Sequence, residues 1–163
     1  MRNFPIEKIQ VLPQHHQMVI PADYIDIFGH MNVQFYMALF NDSIFAMFAE
    51  MDMDIEYFQG QACGVFAAEH HLKYFNEVHA GADIALYSRI LARSEKRLHF
   101  MHFMVNHTEK TLASTLEAVA VHVDTNKRRS TPYPVAFHAL VDTRLAHESI
   151  LDWNAPLSTA MHP

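Results

Sequence analysis

The most constraining feature of this sequence is a long apolar stretch from Phe35 to Phe48 that has helical periodicity. Phe35 and Leu39 fall on one side of such a helix, and Phe40 lies on the neighbouring side. A helix that is apolar on most of its circumference is expected to be buried. The polar residues at 41–43 are consecutive, so we expect them to fan out around the helix without forming a solvent-exposed stripe.

Five stretches with strand character accompany this helix, one before it and four after it. Short polar turns separate the later four, which predicts an antiparallel meander. A second, amphipathic helix is predicted near the C-terminus, after two prolines. An apolar sheet face must be covered, and the long helix is the obvious element to cover it. We therefore predict an α+β fold in which an antiparallel five-stranded sheet wraps around a long central helix, with strands near 16–22, 64–75, 82–92, 97–105 and 111–123 and the second helix over 135–147.

Size and composition narrow the class of protein. A chain of 163 residues fits one domain spanning 1–163. The net charge of -6 argues against nucleic acid as a partner, because phosphate contacts need clustered Lys and Arg. Cys63 is the only cysteine, so no intramolecular disulfide forms. The N-terminus lacks an apolar run and no stretch reaches the length of a membrane span, so we expect a cytoplasmic protein without membrane association.

Neither a metal nor a cofactor is expected. The four glycines are scattered, so no Gly-rich loop is available to hold phosphate. Thirteen histidines include the adjacent pair His70-His71, but neighbouring strand residues point to opposite faces and no zinc-like spacing occurs.

The candidate chemistry lies in Asp26-Ile27-Phe28-Gly29-His30-Met31-Asn32, just before the long helix. A helix N-terminus offers unpaired N–H groups that can stabilise an oxyanion when a carbonyl is attacked. Gly29 lets the backbone approach a substrate closely, and Asp26 has the two roles open to a carboxylate, nucleophile or general base. The residues alone also allow a second interpretation, in which Asn32 caps the helix and Asp26 sits in an ordinary turn.

The pattern Asp-x-x-Gly-His-x-Asn, followed by an aromatic-rich helix, resembles the signature of hot-dog enzymes of the 4-hydroxybenzoyl-CoA thioesterase type. The resemblance implies a hot-dog acyl-CoA thioesterase with Asp26 as the catalytic carboxylate and with Gly29, His30 and Asn32 completing the motif. Many relatives carry another Asp two positions before the catalytic one, where this chain has Tyr24. We expect this difference to alter the acyl pocket.

The likeness extends to residues 64–78 and to Val121-His122-Val123-Asp124-Thr125, which are similar to one branch of the family. That branch contains betainyl-CoA thioesterases and the thioesterase domains fused to some carnitine dehydrogenases. It implies a small acyl-CoA substrate, with betainyl-CoA as a candidate, and a place in carnitine or betaine metabolism. Aromatic faces bind a trimethylammonium group by cation–π attraction, and the candidate walls are Tyr24, Phe28, Tyr57 and Trp153. Any one of these four is more often an ordinary core or surface aromatic.

Further substrate contacts are expected around the motif and on the second strand. Phe28 and Met31 flank the glycine and histidine of the motif. Glu69 and His71 are two residues apart in a strand and share a face, so they either border the active site or form a solvated polar face. The basic run at 127–129 is either a solvated loop or a contact for the anionic nucleotide end of CoA.

These inferences combine into one hypothesis: hydrolysis of an acyl-CoA to free acid and CoA, with Asp26 as base or nucleophile. Backbone N–H groups near Gly29 to Met31 would hold the oxyanion, and His30 and Asn32 would orient substrate or water. Because the exposed edge of a sheet favours pairing, a homodimer or a dimer of dimers is expected. Two alternatives stay open, a hot-dog dehydratase and a non-catalytic acyl-CoA-binding module.

Overall fold

The computed structural model describes residues 5–161 and 163; the Met1–Phe4 part of the N-terminus, on which the argument about a signal peptide partly depends, lies outside them. All five predicted strands are confirmed with small changes in their bounds: β1 Gln14–Val19, β2 Cys63–Tyr74, β3 Asp83–Arg93, β4 Arg97–Asn106 and β5 Thr111–Asp124. A two-residue strand, β6 Arg129–Ser130, is added to them.

The strands lie in the order β1-β3-β4-β5-β2, with β6 paired to β5. β1 runs antiparallel to β3, with Met18 opposite Ile84. Strands β3, β4 and β5 are neighbours in chain order, as the predicted meander requires. The prediction that β2 is the first strand of that meander, paired with β3, is wrong. β2 lies beside β5, and the N–H of Phe75 just after β2 donates to the Ala113 carbonyl over 2.8 Å. A hairpin turn joins only strands that are neighbours in the sheet. Residues 75–82 instead connect β2 to β3, which is separated from β2 by β5 and β4.

The long helix, α2, runs over Val33–Ala49 and is confirmed. Leu39 and Phe40 are fully buried on its inner side. The expectation of burial all round is wrong, because Val33 is 61% exposed and Phe45 is 56% exposed. Asn41 and Asp42 are also exposed and continue this outer stripe at helical spacing.

The polar residue Ser43 shows how α2 can carry a hydroxyl on its buried side. It forms a 2.9 Å hydrogen bond with Nδ1 of His102 on β4, and Phe40 packs edge-on against the same imidazole. A buried hydroxyl needs such a partner, because an unpaired polar group in the core is costly.

Three other helices and a short 3₁₀ turn complete the described residues. The predicted second helix is confirmed, and the remaining pieces lack strong periodicity in the sequence. One of them begins with a clear capping signal, since Asp54 accepts a hydrogen bond from the Tyr57 N–H over 2.9 Å. The elements are α1 Ile6–Ile9, the 3₁₀ turn Ala22–Tyr24, α3 Ile55–Gln61 and α4 Val135–Ser149.

The chain divides into two compact units. The first comprises the described residues of Met1–Ala46 with Leu72–Ser88 and His102–Leu116, and the second comprises Met47–His71, Arg89–Met101 and the described residues of Glu117–Pro163. The expectation of one domain over 1–163 stays a prediction. In the part of the chain that the structure describes, no helix has the length and apolar character needed to cross a membrane.

Candidate active site before helix α2

The motif folds as a tight turn in the first unit, between the 3₁₀ turn and α2. The N–H of Asp26 donates to the His30 carbonyl over 3.0 Å, and the N–H of Gly29 donates to the Asp26 carbonyl over 3.1 Å. Gly29 has a φ of 85°, in the left-handed region that residues with a side chain rarely adopt. The backbone of the turn therefore favours glycine at this position of the motif.

Two further contacts fix this turn in place. The Met31 N–H donates to the Val78 carbonyl over 2.7 Å, and the His79 Nδ1–H donates to the Gly29 carbonyl over 2.9 Å. The segment after β2 thus holds the motif from one side, and such support keeps the geometry of a turn fixed.

The carboxylate of Asp26 is fixed at one oxygen and open at the other. Its Oδ1 accepts a hydrogen bond from the Phe28 N–H over 2.8 Å, and His30 Nδ1 lies 3.8 Å from the same oxygen. Oδ2 has no hydrogen-bond partner among the described residues. The side chain is 19% exposed, so the carboxylate is reachable from solvent while its rotamer is held. A carboxylate in this state can accept a proton from water or attack a carbonyl.

Asn32 caps the long helix. Its Oδ1 accepts a hydrogen bond from the Gln34 N–H over 3.1 Å, and its own N–H donates to the Tyr24 carbonyl over 2.9 Å. The capping interpretation of Asn32 is thus present in the structure, and so is a turn at Asp26. Neither feature conflicts with catalysis, because the start of α2, with the Val33 N–H, lines the same cavity as the Asp26 carboxylate.

A cavity of about 490 Å³ lies beside this turn in the first unit. Most of its lining is aromatic or acidic. The residues come from the motif, the first turns of α2, the last residue of β2 and the segment just after it: Asp26, Phe28, His30, Met31, Val33, Tyr36, Tyr74, Phe75, Asn76 and Glu77. Four residues proposed from the sequence therefore line one cavity, namely Asp26, Phe28, His30 and Met31.

The sequence did not single out the residues that α2 and the end of β2 contribute. Tyr36 packs edge-on against Tyr74, with ring centroids 5.0 Å apart. Burial, followed by the nearby Tyr74 and Glu77, raises the pKa of Tyr36 to about 12, so its phenol stays neutral at physiological pH. The only signal in the sequence was the Tyr74-Phe75-Asn76-Glu77 run at the end of a strand.

The remaining predicted contacts lie elsewhere, and their roles stay predictions. Tyr24 stacks flat on Phe35, with ring centroids 3.8 Å apart. Glu69 and His71 lie on β2 in the second unit, the first exposed and the second half-buried.

Two predicted aromatic walls also belong to the second unit and have partners there. The hydroxyl of Tyr57 lies 3.1 Å from Nε2 of His122. His122 Nδ1 lies 2.9 Å from the Pro132 carbonyl, which can only accept, so Nδ1 carries the proton of the neutral ring. His122 Nε2 therefore accepts a hydrogen bond from the Tyr57 hydroxyl. Trp153 lies under the Arg89 guanidinium, 4.8 Å from the ring centroid.

The basic run at 127–129 spans the end of the turn after β5 and the first residue of β6. Lys127 Nζ pairs with Asp124 Oδ2 over 3.2 Å. A second cavity, of about 460 Å³, lies in the second unit and has Lys96 and Arg97 in its lining. Among the described residues, no group of three or more His, Cys, Asp or Glu side chains is arranged to hold a metal ion.

A long helix and an antiparallel five-stranded sheet are the elements of the hot-dog fold, and in this chain a turn that carries Asp26 precedes the helix. The family described as the thioesterase-like superfamily matches residues 19–153. The chain belongs to this superfamily, which confirms the predicted family, and the solved structure described below confirms the predicted fold class.

Two curated relatives and one solved structure illustrate the likeness. The chain is 29% identical over 133 residues to an L-carnitine dehydrogenase/betainyl-CoA thioesterase of Agrobacterium fabrum; the match covers 82% of this chain and only 27% of that protein. It is 27% identical over 124 residues to a betainyl-CoA thioesterase of Pseudomonas aeruginosa, covering 76% of this chain and 77% of that one. A Staphylococcus aureus protein, SAV2348, solved in complex with CoA, has a TM-score of 0.77 at 23% identity and covers 93% of this chain and 94% of its own. This last likeness shows the fold.

Proposed function

We propose that this chain is an acyl-CoA thioesterase that hydrolyses a small acyl-CoA to free acid and CoA, with betainyl-CoA among its substrates. The observation that carries the proposal is the Asp26 carboxylate, which lines the cavity with one oxygen held by the Phe28 N–H and the other without a described partner. Membership of the thioesterase-like superfamily and the names of the two relatives support it.

In the proposed reaction a C–S bond breaks and a C–O bond forms. Asp26 either takes a proton from water, whose oxygen attacks the thioester carbonyl, or attacks the carbonyl itself to give an anhydride that water then hydrolyses. In both routes the CoA thiolate leaves and is protonated. One open carboxylate oxygen is sufficient for either role.

The backbone N–H groups that can serve as oxyanion donors differ from those that the sequence implied. The N–H groups of Gly29 and Met31 already donate to the Asp26 and Val78 carbonyls, so both are engaged. The N–H groups of His30 and Val33 have no acceptor among the described residues, and that of Val33 is the first of α2. We therefore assign oxyanion stabilisation to His30 and Val33, both of which line the cavity.

Self-association into a homodimer or a dimer of dimers belongs to the same proposal. β2 lies at an edge of the sheet, and an open strand edge favours pairing. Phe66 on β2 is 43% exposed, and Ile27 beside the cavity is 93% exposed. Light scattering on the purified chain tests this part; a monomer that turns over substrate at full rate contradicts it. A cytoplasmic location stays a prediction.

The decisive experiment is a thiol-detection assay over a panel of acyl-CoAs that includes betainyl-CoA, with the acid product measured in parallel. Equal amounts of free thiol and free acid support hydrolysis. Binding of the acyl-CoAs without thiol release favours a binding module. Loss of water from a hydroxyacyl-CoA, with the thioester intact, favours a dehydratase.

A further inference from the structure

The cavity beside Asp26 has the composition of a site for a positively charged group. Its described lining holds two carboxylates, from Asp26 and Glu77, and no Lys or Arg. Four aromatic rings share the cavity with them: Phe28, Tyr36, Tyr74 and Phe75. Quaternary ammonium groups have no N–H to donate, so proteins recognise them by aromatic faces and nearby negative charge.

The two tyrosines form the ordered part of this aromatic wall. Tyr36 is 5% exposed and Tyr74 is 49% exposed, and their rings meet at 89°. The buried ring therefore supports the open one, which stays accessible to a ligand. Edge-to-face pairs of this kind contribute stabilisation beyond the area that they bury, so the position of Tyr74 is defined.

Glu77 is available to act as a counter-charge. Its only described ion-pair partner is His79, whose Nε2 lies 4.0 Å from Glu77 Oε2, and both side chains are well exposed. An exposed pair at this distance contributes little, so a bound cation can compete for the carboxylate.

We propose that Tyr74 and Glu77 are the residues that select a quaternary ammonium acyl group in this cavity, with Tyr36 as the positioning residue behind Tyr74. This inference rests on the proposed thioesterase function and deepens it by assigning the selection of the substrate to named side chains. Specificity and catalysis then share one cavity.

Substrate geometry supports a shared cavity. In an acyl group of the form trimethylammonium–CH₂–CO–S, the nitrogen lies about 2.5 Å from the carbonyl carbon, as in the N–Cα–C unit of a peptide. When Asp26 acts on that carbonyl, the cation lies in the same cavity, whose lining includes both Asp26 and Glu77. A neutral acyl group would gain no attraction from either carboxylate.

The same charges exclude the other end of the substrate. The phosphates of CoA are anionic, and two carboxylates within one cavity repel them. The acyl end is therefore the part of the thioester that enters here.

The test compares two thioesters of nearly identical shape, betainyl-CoA and 3,3-dimethylbutanoyl-CoA, in which a carbon replaces the charged nitrogen. The measured quantity is the ratio of their kcat/KM values. Wild type is expected to prefer the cation, and Glu77→Gln and Tyr74→Leu are each expected to lower the ratio about tenfold. Tyr74→Phe keeps the aromatic face and should retain the ratio. Glu109→Gln, an exposed carboxylate in the β4–β5 turn, serves as the matched control and should leave the ratio unchanged.

Each outcome decides one of the two proposals. A wild-type ratio near one, or loss of activity that is equal for both thioesters in Glu77→Gln, overturns the cation site while thioester hydrolysis stands. When wild type releases thiol from neither compound, hydrolysis of these small thioesters fails, and calorimetric binding of the same two compounds to wild type and Glu77→Gln decides the cation site. Tighter binding of the betainyl thioester that Glu77→Gln removes supports the site, and equal binding overturns it. Thermal unfolding of every variant confirms that the chain is folded.

Discussion

The N–H of Phe28 donates to Oδ1 of Asp26 over 2.8 Å, and this one bond determines how the carboxylate is presented. It closes a local turn of the kind that Asp and Asn side chains both form. The chemistry of Asp26 and its structural role can therefore be separated by substitution, because an amide oxygen also accepts the Phe28 N–H.

Asp26→Asn is expected to lower kcat at least 10³-fold (an order-of-magnitude estimate for loss of an essential base or nucleophile) while the free energy of unfolding changes little. The thiol-release assay measures the first quantity and denaturant unfolding the second. Asp23→Asn, an exposed carboxylate in the preceding 3₁₀ turn, is the control and should retain full activity. Retained turnover in Asp26→Asn would remove Asp26 from the mechanism.

Gly29→Ala tests the left-handed turn. An added Cβ would meet no atom within 4 Å, so the cost comes from the φ of 85° alone. We expect a loss of about 1–2 kcal/mol in the free energy of unfolding. Activity should also fall, because the turn positions Asp26 and the His30 N–H. Gly60→Ala in α3 is the control; its added Cβ also meets no atom within 4 Å and its φ is not positive, so a gain of about 0.5–1 kcal/mol is expected. Equal changes in the free energy of unfolding for the two substitutions would show that alanine is not strained at position 29.

Asn32 provides a test that distinguishes a cap from a catalytic group. Asn32→Ala removes the acceptor for the Gln34 N–H and should cost about 1 kcal/mol of stability. Asn32→Ser retains a cap, so stability should be close to that of wild type. If Asn32→Ser also retains kcat, Asn32 acts only through the helix start. A loss of kcat in a variant of wild-type stability would show that the Asn32 carboxamide itself orients substrate or water.

The secondary structure was predictable because local patterns determine it. The apolar periodicity at 35–48 gave α2, and the alternating stretches gave β1 to β5 within a few residues of their bounds. The partner of β2 was not predictable, since it depends on where the connection at 75–82 leads. The exposed stripe with Phe45 was also missed, because apolar periodicity does not show which side faces solvent.

The candidate site also has a part that was predictable from the sequence and a part that was not. The turn residues Asp26, Gly29 and His30 lie within a stretch of five residues, so a motif could reveal them. Tyr36 and Glu77 come from elements far apart in the chain and meet only after folding, so no spacing shows that they share a cavity. Likewise, only the folded backbone shows that the Met31 N–H is engaged by Val78 and is unavailable to an oxyanion.

The second unit contains a buried carboxylate whose ionisation should appear in the pH dependence of stability. Glu117 accepts hydrogen bonds from Nε2 of His99 over 3.0 Å and from the Ser158 N–H over 2.6 Å. Burial alone would raise the pKa of Glu117, but the Ser158 N–H and His99 outweigh it and hold the pKa below the ordinary value of 4.5. An acid whose pKa is lower in the folded state stabilises the fold above its unfolded pKa, and that stabilisation is lost as the pH falls through the folded value.

Glu117→Gln should therefore lower the free energy of unfolding near neutral pH by about 1–3 kcal/mol, since a charged acceptor of two buried hydrogen bonds is lost. Below pH 4.5 the difference from wild type should shrink, because wild type then loses the same contribution by protonation. Denaturant unfolding at a series of pH values measures both effects. Glu109→Gln, exposed in the β4–β5 turn, should follow the wild-type profile. A constant difference between Glu117→Gln and wild type across the whole range would mean that the side chain contributes by packing and not by its charge.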